Sequence, residues 1–120
     1  MKVGFLKSSW RRIGTLDAIP CRGARIVETE RGPVAVFRTG DDEVFALDDR
    51  CPRSGGPLSC GIVHGHQVTC PLHATEVSLE TGEAIGQRVG RVLQHAVRVT
   101  HDRQVYLAVS NEFPRPRAPS

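Results

Sequence analysis

The 120 residues, 13.1 kDa, suffice for one domain around one core and for little else. Sixteen Lys and Arg against 13 Asp and Glu leave a net charge of only +3, and four Phe, one Tyr and one Trp are all the aromatics available for stacking, which argues against a nucleic-acid partner. No apolar run approaches the ~18 residues that cross a bilayer, and Met1 to Trp10 lacks the apolar stretch of a secretory signal, so a soluble, cytosolic protein with no membrane partner is expected.

Short alternating runs, broken every few residues by turn signals, predict strands rather than amphipathic helices. In chain order they are Trp10 to Leu16, Ala24 to Thr29, Val34 to Arg38, Val44 to Asp48, Cys60 to Val63, Gln67 to Cys70, Glu76 to Leu79, Leu93 to Thr100 and Gln104 to Val109. The separators are Glu30-Arg31-Gly32-Pro33, Thr39-Gly40-Asp41-Asp42, His64-Gly65-His66, Glu80-Thr81-Gly82-Glu83 and His101-Asp102-Arg103. So many short strands favour closure into a small barrel or sandwich, which removes sticky edges. Asn111 to Ser120, with three prolines, reads as an extended tail.

Two segments interrupt this rhythm. Cys51-Pro52-Arg53-Ser54-Gly55-Gly56-Pro57 has the glycines and prolines of an unusual backbone path, and Cys70-Pro71-Leu72-His73 begins where the intervening hairpin ends. An antiparallel hairpin returns the chain to its start, so the two loops are expected side by side. With no export signal the thiols are expected to be reduced, which puts metal ligation ahead of a disulfide framework.

The stretches Cys51-Pro-Arg-Ser-Gly-Gly-Pro-Leu-Ser, Gly61-Ile-Val-His-Gly, Val68-Thr-Cys-Pro-Leu-His73 and Leu79-Glu-Thr-Gly-Glu-Ala84 resemble the Rieske family. Leu16 to Pro20 and Asp41 to Arg50 extend the likeness over most of the chain, and within the family it is most similar to the small subunits of NAD(P)H-dependent nitrite reductases. The resemblance implies an all-β Rieske-type barrel or sandwich over residues 1–110, an inserted two-loop cluster-binding subdomain over about 49–83, and a tail over 111–120. It also implies a [2Fe–2S] cluster held by Cys-x-His in the first loop and Cys-x-x-His in the second, two thiolates on one iron and two imidazoles on the other. Cys51, Cys70 and His73 match that pattern.

The first-loop histidine does not match, because position 53 is Arg, and a guanidinium has no lone pair to give a metal. Ala74 also stands where the resemblance implies Gly or Asn, a strained choice if the backbone there has positive φ. His64 and His66, four or more residues from Cys70, are discounted at about 13 Å. A hairpin turn centred on His64 and Gly65 would set position 60 opposite 69, so Cys60 is either a small buried strand residue or the fourth ligand beside Cys51, Cys70 and His73. Zinc held by the same three Cys and one His is a further reading. Cys21 reads as an ordinary free thiol, and His64, His66, His95 and His101 as solvated turn residues.

The implied function is the small subunit of a nitrite reductase, an electron-transfer or docking domain that does not turn over substrate alone. Its partner would be the large chain that carries nucleotide, FAD and sirohaem, none of which has a binding motif here. Two alternatives stand beside it: a stand-alone Rieske ferredoxin serving an oxygenase, and a cluster-free structural subunit.

Overall fold

The computed structural model describes residues 8–72, 74–86 and 90–110; the predicted tail over 111–120 and His73 lie outside them. Among the described residues, ten short strands and two single-turn 3-10 helices make up the regular structure, so the all-β expectation holds. Strand β1 (Ser8–Thr15) runs into a 3-10 turn at Leu16–Ala18, followed by β2 (Gly23–Thr29), β3 (Gly32–Arg38) and β4 (Val44–Asp48). After the first cysteine loop and a 3-10 turn at Leu58–Cys60 come β5 (Ile62–His64), β6 (Gln67–Thr69) and β7 (Glu76–Ser78), then β8 (Gln94–His95), β9 (Val97–Val99) and β10 (Gln104–Ser110).

These strands form three antiparallel sheets, ordered β1-β10-β9, β2-β3-β4-β8 and β5-β6-β7. The middle sheet is the shared wall. Val34, Ala35, Val36 and Phe37 are all buried in succession, a run that a strand shows only when both of its faces are covered. Successive side chains alternate between faces, and the partition follows that rule. Val34, Val36 and Ala46 join Ile13, Leu16, Val105 and Leu107 in one core, whereas Ala35, Phe37 and Leu47 join Cys51, Leu58, Val68, Cys70 and Leu79 in the other. The sheet of β5 to β7 and both cysteine loops therefore rest on one face of the wall, and the sheet of the chain ends rests on the other.

Three expectations are corrected. The stretch Leu93 to Thr100 is not one strand: β8 pairs with β4 through Ala46↔His95 and Leu47↔Gln94, while β9 pairs with β10, so the chain changes sheets at Ala96. Leu16 leaves β1 for the 3-10 turn, whose carbonyl groups at Leu16 and Ile19 accept from the Arg38 guanidinium at 3.2 and 2.9 Å. Cys60 is neither buried nor on a strand. It closes the second 3-10 turn and is exposed, because the following hairpin pairs Ile62↔Thr69, Val63↔Val68 and His64↔Gln67 around Gly65 and His66. Ile62, not Cys60, faces position 69. Gly61 makes the approach possible: a Cβ there would lie 2.5 Å from the Thr69 carbonyl oxygen.

Candidate metal centre

The first loop is shaped by its own backbone. The Cys51 N–H donates to the Gly56 carbonyl at 2.6 Å, the Gly55 N–H returns to the Cys51 carbonyl at 2.9 Å, and the Gly56 N–H donates to Ser54 Oγ at 3.1 Å. Its two ends are clamped by Asp49, whose carboxylate accepts from the Ser59 N–H at 2.7 Å and the Ser59 hydroxyl at 2.9 Å. The second loop is closed by the Cys70 N–H donating to the Thr75 carbonyl at 2.8 Å, and Ala74 takes the left-handed backbone there with φ +55°. Leu72 crosses from the second loop to the first, close enough that a Cβ on Gly56 would lie 2.8 Å from Leu72 Cδ1.

The two loops bring Cys51 and Cys70 together. Their residues are 1 % and 0 % exposed and belong to the same core as Phe37 and Leu58. Ser54 Oγ lies 3.7 Å from Cys70 Sγ. Burial pushes the Cys51 thiol up. Hydrogen bonds to its sulfur from the Ser54 hydroxyl, the Ser54 and Arg53 amides and the Cys70 thiol outweigh that and hold it below its ordinary value. Amide and hydroxyl donors aimed at sulfur are what a metal-bound thiolate requires. Ser54 carries this role without a signal in the spacing, since a single Ser in a Gly-rich loop reads first as a turn residue.

The other sequence-predicted positions do not converge on this pair. Arg53 is exposed, with its amide on the Cys51 sulfur. Among the described residues no three His, Cys, Asp or Glu side chains are grouped to hold a metal ion, so Cys60 does not join the two buried thiols. His64 Nε2 bonds Thr69 Oγ1 at 2.7 Å. Two histidines read as solvated turn residues are instead engaged. His95 lies on β8, half-buried, with Nε2 2.7 Å from Asp48 Oδ1, and His66 contacts Glu80 at 2.6 Å and Asp41 at 3.4 Å while its ring tilts against Phe45.

Beside the first loop is a cleft of about 180 Å³ lined by Arg31, Pro33, Asp48, Asp49, Arg50 and Gly55. A second, of about 210 Å³, opens between Thr29 to Arg31 and Leu93 to Ala96 on the side of the other core.

This arrangement of two thiol loops on a three-sheet scaffold agrees with comparison to known proteins. Residues 9–108 match the Rieske-like [2Fe-2S] domain. The chain belongs to this family. It is 35% identical over 99 residues to the 3-phenylpropionate/cinnamic acid dioxygenase ferredoxin subunit of Photorhabdus laumondii, covering 82% of this chain and 92% of that one. Among solved structures, a Mycobacterium tuberculosis protein described as an NADH-dependent nitrite reductase small subunit superposes with a TM-score of 0.76 at 25% identity, covering 84% of this chain and 95% of that one. The ferredoxin of carbazole 1,9a-dioxygenase from Nocardioides aromaticivorans superposes with a TM-score of 0.74 at 25% identity, covering 85% and 99%.

A Rieske domain's group is a [2Fe–2S] cluster with two thiolate and two imidazole ligands, and its chemistry is one-electron transfer. Two adjacent buried thiols with donors on the sulfur fit the thiolate half of such a centre. Among the described residues no histidine joins Cys51 and Cys70 in a metal-holding group, and position 53, where the family pattern has its first imidazole, is Arg.

Proposed function

We propose that this Rieske-fold chain is the small subunit of an NAD(P)H-dependent nitrite reductase, bound to a large chain that carries the nucleotide, flavin and sirohaem. The superposition on the M. tuberculosis small subunit over nearly the whole of that protein carries this reading. The tip formed by the two cysteine loops is the docking face: it is held rigidly by the Asp49 clamp and by Leu72 against Gly56, and it presents Arg53 and a 61 % exposed Leu72 outward. An exposed apolar side chain beside a cation suits a contact with a protein partner.

The test is co-expression with a sirohaem nitrite reductase large chain, followed by size-exclusion chromatography with light scattering. Co-elution that Leu72→Asp weakens at least tenfold supports the reading, and separate elution of the two chains rejects it. The likeness to dioxygenase ferredoxin subunits favours a second reading, a ferredoxin delivering electrons to an oxygenase. That role predicts a visible chromophore bleached reversibly by dithionite and no complex with the sirohaem chain.

A further inference from the structure

Neutral imidazole is the nitrogen ligand that a protein most often gives a metal. The sequence has five histidines, His64, His66, His73, His95 and His101. His64 and His66 belong to the β5–β6 hairpin, the first on Thr69 and the second between Glu80 and Asp41. His95 is across the wall sheet on Asp48. His101 occupies the turn between β9 and β10, closed by the Thr100 N–H to the Gln104 carbonyl at 2.9 Å, in the sheet that covers the opposite face from the thiols. His73, three residues after Cys70 in the sequence, lies outside the described residues.

We infer that this chain does not hold a two-imidazole iron–sulfur centre: its site is one histidine short, and the vacancy is at position 53. The thiolate half is built, with both sulfurs buried and adjacent. The residue whose amide already lies on the Cys51 sulfur, and whose side chain is exposed at the same tip, is Arg53, which cannot serve as a neutral nitrogen ligand. Cys60 does not fill the gap, because it is exposed on the Leu58–Cys60 turn, outside any metal-holding group among the described residues. The inference concerns the ligand set alone and does not rest on the nitrite reductase reading.

The test uses the full chain labelled with ¹⁵N-histidine, incubated anaerobically with iron and sulfide, desalted, assayed for bound iron and sulfide, and then reduced by one electron with dithionite so that histidine nitrogen coupling can be read by pulsed paramagnetic resonance. Wild type is expected to show at most one coupled histidine and at least fivefold less bound iron than Arg53→His. That variant is expected to retain about two irons and two sulfides per chain, the content of a [2Fe–2S] centre, and to show two coupled histidines. Circular dichroism confirms that both are folded; should the His variant not fold, Arg53→Gly with free imidazole in the buffer replaces it, and iron retention that depends on the imidazole is then expected. Two coupled histidines in wild type overturn the inference, as does a folded position-53 variant with no gain in iron. Co-elution of wild type with the large chain is measured on the same preparation, so failure here is separable from failure of the docking role.

Discussion

Ala74 is one of four non-glycine residues with positive φ among the described residues. Its φ of +55° places a Cβ in the left-handed region, at a cost of roughly 1–2 kcal/mol that only the surrounding closure of the loop by Cys70 and Thr75 sustains. Ala74→Gly removes that strain and gives back part of the gain as entropy of the unfolded chain. A net stabilisation of about 1 kcal/mol is therefore expected, read as a higher urea midpoint at unchanged slope; an unchanged or lower midpoint would show that the strain is not there. The sequence shows that an alanine follows His73 but not that the backbone turns left-handed, since φ is set by the hydrogen bond that closes the loop.

At the scale of elements, the β5–β6 hairpin decides what its histidines do. With Gly65 and His66 at the turn, His66 points back to Glu80 and to Asp41 of the β3–β4 turn, its ring against Phe45 of β4. It thus clasps the loop-bearing sheet to the wall sheet. The Glu80 carboxylate, ahead of burial, which opposes it, and of Asp41, raises the His66 imidazole above its ordinary 6.5. A folded-state value raised above the unfolded one means that the contribution is complete below about pH 6.5 and is lost as pH rises through the folded value. The stability gap between wild type and His66→Gln is accordingly expected to be widest near pH 6 and to narrow by about pH 8, measured by urea denaturation in both buffers. A gap independent of pH would remove the ionic part of the clasp. A turn centred one residue earlier would also satisfy the local Gly and His signals, so alternation alone could not choose the register; the packing of Val63 and Val68 into the core does.

For the whole molecule the controlling feature is the wall sheet buried on both faces. Phe37 is fully buried in the core beneath the thiol loops, whereas its neighbour Val36 faces the opposite core. Phe37→Ala is expected to cost about 3–5 kcal/mol and Val36→Ala less, since fewer atoms are removed. Amide hydrogen exchange distinguishes them further: Phe37→Ala should release protection first in β5 to β7, and Val36→Ala first in β1, β9 and β10. Identical exchange patterns would mean that the two cores unfold as one.

Alternation and turn signals were enough to determine an all-β chain, because period-two patterning and turn chemistry are local properties, and the resemblance of the two Cys-Pro loops and their flanking motifs pointed to the Rieske-like family. They also place Arg53 at the position where the resemblance implies a first-loop histidine. Tertiary structure alone decided that Cys60 is exposed, that His66 and His95 are engaged by carboxylates, and that Cys51 and Cys70, on loops already expected side by side, are buried within a core. Each of these depends on which segments a sheet brings together, and the pairing of distant segments is settled by burial across the whole chain rather than by any residue's neighbours in sequence.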